Sequence, residues 1–74
     1  MQVNFQNVLI CDVFVTEYKG KSYAQLLVYS DSQLYRISFD YSLLEEMKKA
    51  IGTRQDITAK LSTYDGKSKF KLES

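Results

Sequence analysis

Apolar residues alternate with a period of two along most of this chain, and the alternation is interrupted once. Between residues 42 and 51 the period lengthens to about 3.6, and then it returns to two. A chain with this pattern must build a sheet and set one short helix against it. Residues 8–18 read as a first strand, with Leu9, Cys11, Val13 and Val15 on one face and Ile10, Asp12, Phe14 and Thr16 on the other. Residues 22–30 read as a second, with Ala24, Leu26 and Val28 turned one way and Tyr23, Gln25, Leu27 and Tyr29 the other. Residues 33–40 read as a third, with Tyr35, Ile37 and Phe39 opposite Leu34, Arg36 and Ser38. Tyr18-Lys19-Gly20-Lys21 and Ser30-Asp31-Ser32 supply the turns between them.

Ser42-Leu43-Leu44-Glu45 has the form of a capping box, with Ser42 as N-cap and Glu45 three positions on. Leu43, Leu44, Met47 and Ile51 then share one helical face. Lys48 and Lys49 fall in the last turns, where they complement the helix dipole. Gly52 stops the helix. Two strands follow. Residues 56–64 turn Ile57, Ala59 and Leu61 inward, and residues 67–73 turn Phe70 and Leu72 inward. The Asp65-Gly66 pair joins them as a hairpin.

The order is therefore β-β-β-α-β-β over one domain, residues 1–74. Exposed sheet edges are a hazard at this size, and closure into a barrel removes them. A helix between strands 3 and 4 then covers one open end. That is the arrangement of the five-stranded OB-fold barrel. A ubiquitin-like fold would place its helix after two strands, and an SH3-like barrel would not need this helix.

Composition removes several functions. The chain has no histidine and one cysteine, Cys11. His/Cys metal sites and the common His-based catalytic arrangements are thereby excluded. The carboxylates fall in no motif with known chemistry, so neither enzyme activity nor a cofactor is expected. A lone cysteine fits a reducing compartment, and Met1–Asn7 has neither a basic segment nor a long apolar run. A cytoplasmic location in a bacterial or phage-infected cell is the expectation, with no signal peptide and no membrane span. A 74-residue domain buries only about 60% of its unfolded surface. Dimerisation or ligand binding would add stability, and a homodimer is expected.

Net charge is +1, but it is unevenly spread. Residues 1–46 carry three basic and six acidic side chains, and residues 47–74 carry seven and three. The second part is a basic segment on a nearly neutral protein.

In an OB-fold barrel, ligands lie across strands 2 and 3, between the loops joining strands 1–2 and 4–5. Here those loops are similar: Thr16-Glu-Tyr-Lys-Gly-Lys-Ser-Tyr23 and Ser62-Thr-Tyr-Asp-Gly-Lys-Ser-Lys69 both hold Tyr-x-Gly-Lys-Ser. The motif is also simply good hairpin sequence. The outward set between them is Tyr23, Gln25, Leu27, Tyr29, Leu34, Arg36 and Ser38, with Phe14 added from strand 1. Solvated strand faces are mostly Thr, Lys, Glu and Ser, so an aromatic and apolar face asks for a partner. Tyrosine rings suit unpaired bases, and Arg36 can stack or meet a phosphate. Lys19, Lys21, Lys60, Lys67, Lys69 and Lys71 can track a phosphate backbone. Tyr and Arg are equally the residues of protein interfaces, and Leu27 and Leu34 suit that alternative, a protein-interaction or inhibitory module, better.

By element order, size and face chemistry, the whole chain resembles the small single-stranded-DNA-binding OB-fold proteins of phages and other mobile elements. No specific motif carries the likeness. The resemblance implies that Tyr23, Tyr29, Arg36, Lys19 and Lys21 hold a single strand; Phe14 and Tyr18 join them from the reading of the face and its turn. By the resemblance Tyr64 and Lys67 would extend the site from the second loop, with Lys60 and Lys69 among the lysines placed to track the backbone. The near-zero net charge departs from that family's pattern. So does the end of the chain at Glu73-Ser74, without an acidic tail, which implies passive strand protection in replication or recombination.

Overall fold

The computed structural model describes residues 1–73, and of Tyr64 the backbone alone. Strands occupy 69% of the chain. They are β1 (Gln2–Tyr18), β2 (Lys21–Ser30), β3 (Gln33–Phe39), β4 (Arg54–Tyr64) and β5 (Lys67–Leu72). A 3₁₀ turn at Tyr41–Leu43 leads into one short helix, α1 (Leu44–Lys49), between β3 and β4. The sheet closes in a ring in the order β1-β2-β3-β5-β4. All neighbours are antiparallel except β3 and β5, which meet in parallel through Ile37↔Phe70 and Ser38↔Lys71.

β1 begins six residues earlier than its alternation predicts, because it serves two partners. Its first half pairs with β4 from Gln2↔Lys60 to Leu9↔Arg54, and its second half pairs with β2 from Leu9↔Tyr29 to Tyr18↔Lys21. Two irregularities make the change of partner possible, one between Phe5 and Val8 and one between Ile10 and Asp12. A bulge inserts a residue, bends the strand and shifts which side chains face inward. Asn7 sits at φ 52, a conformation asparagine tolerates. Its N–H donates to Asp56 Oδ1 at 2.8 Å, and its carbonyl accepts from the Arg54 guanidinium at 3.3 Å.

These bulges correct the facing of β1. Unbroken alternation puts Leu9 and Cys11 with Val13 on the inner face. Instead Val8 and Ile10 are buried, and Leu9 and Cys11 are half-buried. After the second bulge Val13 packs against the core, while Asp12, Phe14 and Thr16 face out. The remaining strands keep the predicted faces. Ala24, Leu26, Val28, Ile37, Phe39, Ile57 and Ala59 form the core with Phe5, Val8 and Ile10. Phe5, Tyr35 and Phe70 pack together at its side: Phe70 meets Phe5 and Tyr35 edge to face with centroids 5.3 and 6.0 Å apart, and Phe5 and Tyr35 are tilted to each other at 5.1 Å.

The helix differs from its expected form in two ways. Asp40, not Ser42, is the cap: its Oδ1 accepts the Ser42 N–H at 3.0 Å. Ser42 lies inside the 3₁₀ turn, so no capping box forms with Glu45. The helix also ends at Lys49, and Ile51 is exposed rather than packed. Leu43, Leu44, Met47 and Ala50 make the contact with the core. At Gly52, φ is +88 and the N–H donates to the Ile10 carbonyl at 2.8 Å. The Ile10 N–H returns to the Thr53 carbonyl at 2.9 Å. The helix exit is thus tied to the strand where its second bulge begins. None of the described helices is long and apolar enough to cross a membrane.

Candidate functional site

Antiparallel pairing sets the outward residues of β1, β2 and β3 into rows across the sheet. One row runs Leu9–Tyr29–Leu34, the next Asp12–Leu27–Arg36, and the next Phe14–Gln25–Ser38. The last continues through Lys71 of β5 and Lys60 of β4. Beyond it Thr16 pairs with Tyr23 and Tyr18 with Lys21, beside the Lys19-Gly20 turn.

The predicted residues fall into two groups on this surface. At the end near the β1–β2 turn, an open groove of about 480 Å³ is lined by Thr16, Tyr18, Tyr23, Gln25, Ser38 and Lys69. The Gln25 amide donates to Ser38 Oγ at 3.5 Å within it. Lys69 belongs to the β4–β5 hairpin, so side chains from both Tyr-x-Gly-Lys segments line one groove. Tyr18 and Tyr23 are 61% and 50% exposed, which leaves their rings open to a ligand. The Lys19 Nζ lies 5.3 Å from the centre of the Tyr18 ring. Arg36 reaches across β2 and places its guanidinium carbon 5.6 Å from the centre of the Phe14 ring.

Tyr29 belongs to the second group. It stands six residues from Tyr23 on the same face of β2, roughly 20 Å away. Its neighbours are Leu9 and Leu34, and Leu34 is 60% exposed. That end of the face is an apolar row rather than a Tyr/Lys groove. Lys60 faces outward on β4 beside Lys71, and Lys67 pairs with Tyr64 at the hairpin. The side chain of Tyr64 lies outside the described residues.

Tyr41 is the residue that periodicity missed. It is 47% exposed in the connection from β3 to the helix. With Tyr23, Ser38, Asp40 and Lys71 it lines a second groove of about 440 Å³. The signal for it is a lone aromatic between two elements whose apolar stripes it does not join. Asp40 has its carboxyl held below the usual range, chiefly by the Ser42 N–H it accepts, then by the Ser42 side chain, with a further contribution from the Lys71 charge. Among the described residues no three His, Cys, Asp or Glu side chains come together as a metal site would require. Comparisons with protein-family models, with curated proteins and with solved structures find no match.

Proposed function

We propose that this protein is an OB-fold-type module that binds single-stranded DNA without reading its sequence, in phage or mobile-element replication or recombination. The observation that supports this reading is the groove where Tyr18 and Tyr23 from one hairpin meet Lys69 from the other. Lysines capture the backbone by charge, and bases then stack on the open rings. Every base has a π-face, so stacking tolerates any sequence. Arg36 and Phe14 form a second stacking pair beside the groove. The ring geometry lends support, because five strands with a helix between the third and fourth is the OB element order.

The test is titration with oligo-dT at low and moderate salt, followed by intrinsic tyrosine emission. Micromolar binding that weakens with salt is expected. Absence of binding at tens of micromolar in low salt would end the reading. Tyr23→Ala should weaken binding by about 1–3 kcal/mol.

The row Leu9–Tyr29–Leu34 favours a second reading, a protein-binding surface whose first candidate occupant is another copy of this chain. Exposed leucine beside tyrosine is interface chemistry more than base-stacking chemistry. Sedimentation velocity of the wild type and of Leu34→Glu separates the two. A dimer abolished by Leu34→Glu, with DNA affinity unchanged, assigns the row to protein and leaves the groove to DNA.

A further inference from the structure

The two grooves are contiguous, since Tyr23 and Ser38 line both. Resting on the single-strand reading, we infer that they form one two-base site, with Tyr23 between the bases and Tyr41 as an outer stacking platform. Each groove, at about 480 and 440 Å³, falls within the range of small-ligand sites, about 300–1,000 Å³. Each has an exposed tyrosine besides Tyr23, Tyr18 in the first and Tyr41 in the second.

Each groove also has one lysine, Lys69 in the first and Lys71 in the second. The two lysines are two residues apart on β5, about 6.6 Å along the strand and on the same side. One ammonium group therefore serves each groove, as a chain with one phosphate per base requires. Among the described residues Asp40 is the single carboxylate lining either groove, and its charge is engaged by the Ser42 N–H and lies near Lys71. The charge complementarity is thus with a polyanion carrying flat rings at regular spacing, which is a single strand. A peptide would not need a cation at each step.

This geometry takes Tyr41 into the site and leaves Tyr29 out. Oligo-dT titration of the full chain tests it with Tyr23→Ala, Tyr41→Ala, Tyr41→Phe and Tyr29→Ala. Tyr23 and Tyr41 are each about half exposed, so truncation leaves the core intact, and circular dichroism checks this. Tyr23→Ala and Tyr41→Ala are expected to weaken binding about 5- to 150-fold each. Tyr41→Phe should bind like the wild type, because it keeps the ring, and Tyr29→Ala should also be unchanged. If the wild type binds and Tyr41→Ala binds equally well, the two-base site is overturned while single-strand binding stands. If Tyr29→Ala costs as much as Tyr23→Ala, the site is misplaced and the inference also falls. A wild type that binds no oligonucleotide overturns the single-strand reading and this inference with it.

Discussion

Arg36 and Phe14 already satisfy each other before any ligand arrives. An exposed cation–π contact is worth about 0.5–1 kcal/mol, and a stacked base about 1–3 kcal/mol. A base can therefore displace or join the pair at a net gain. Arg36→Ala should weaken oligo-dT binding and flatten its log–log salt dependence by about 0.7 if Arg36 meets one phosphate of a single strand. An unchanged slope would show that Arg36 meets none. Asp40 gives a second prediction at this scale. The Ser42 N–H favours its carboxylate, so its folded-state pKa lies below the ordinary aspartate value of 3.8. The stabilisation is then fully present above about pH 4 and is lost as pH falls through the lower folded value. Asp40→Ala should lower Tm at pH 7, and the gap from wild type should narrow in acid. Asp40→Asn keeps a capping oxygen and should recover most of the loss at pH 7.

Among the elements, the turns and β1 carry the backbone strain. The β2–β3 turn holds both Asp31 and Ser32 at positive φ, 49° and 66°, as the tight hairpin turn demands. The other two hairpins place glycine at their second turn position, Gly20 and Gly66. Ser32 bears the same conformation with a Cβ. Ser32→Gly should therefore raise stability by up to about 1–2 kcal/mol, read as a higher urea midpoint at constant m-value. The faces of β2 and β3 were legible because neither strand bulges, so parity alone sets them. β1 was not, because each bulge reverses parity without leaving a Gly or Pro in the sequence. Asn7 was the one local hint, and its meaning depends on Asp56 and Arg54, 49 and 47 positions away.

For the whole molecule, closure is the step on which the rest depends. β3 and β5 meet through only two residue pairs, one of them Ile37↔Phe70. Ile37 is fully buried. Ile37→Ala should cost about 2–5 kcal/mol. A domain of this size has roughly 4–11 kcal/mol in all. A thermal melt should therefore shift far down or lose its native baseline. A cost below 1 kcal/mol would mean that closure contributes little. The same closure brings Lys69 to Tyr18 and Tyr23, so strand-binding should fail together with the fold in this variant.

Period and turn chemistry in the chain were sufficient for five strands, one helix and their order, because these depend on residues within a few positions of one another. The outward set Tyr23, Gln25, Arg36 and Ser38 was readable for the same reason. Three things were decided only by the folded backbone. The cap passed to Asp40 because the chain leaves β3 in extended geometry there, with its carboxylate aimed at the Ser42 N–H. The single Tyr/Leu/Arg face divided into a groove and an apolar row because strand rise sets Tyr23 and Tyr29 far apart. The groove itself exists because closure of the ring brings Lys69 of β5 to the same groove as Tyr18 and Tyr23, residues some fifty positions away in the chain, which no local pattern encodes.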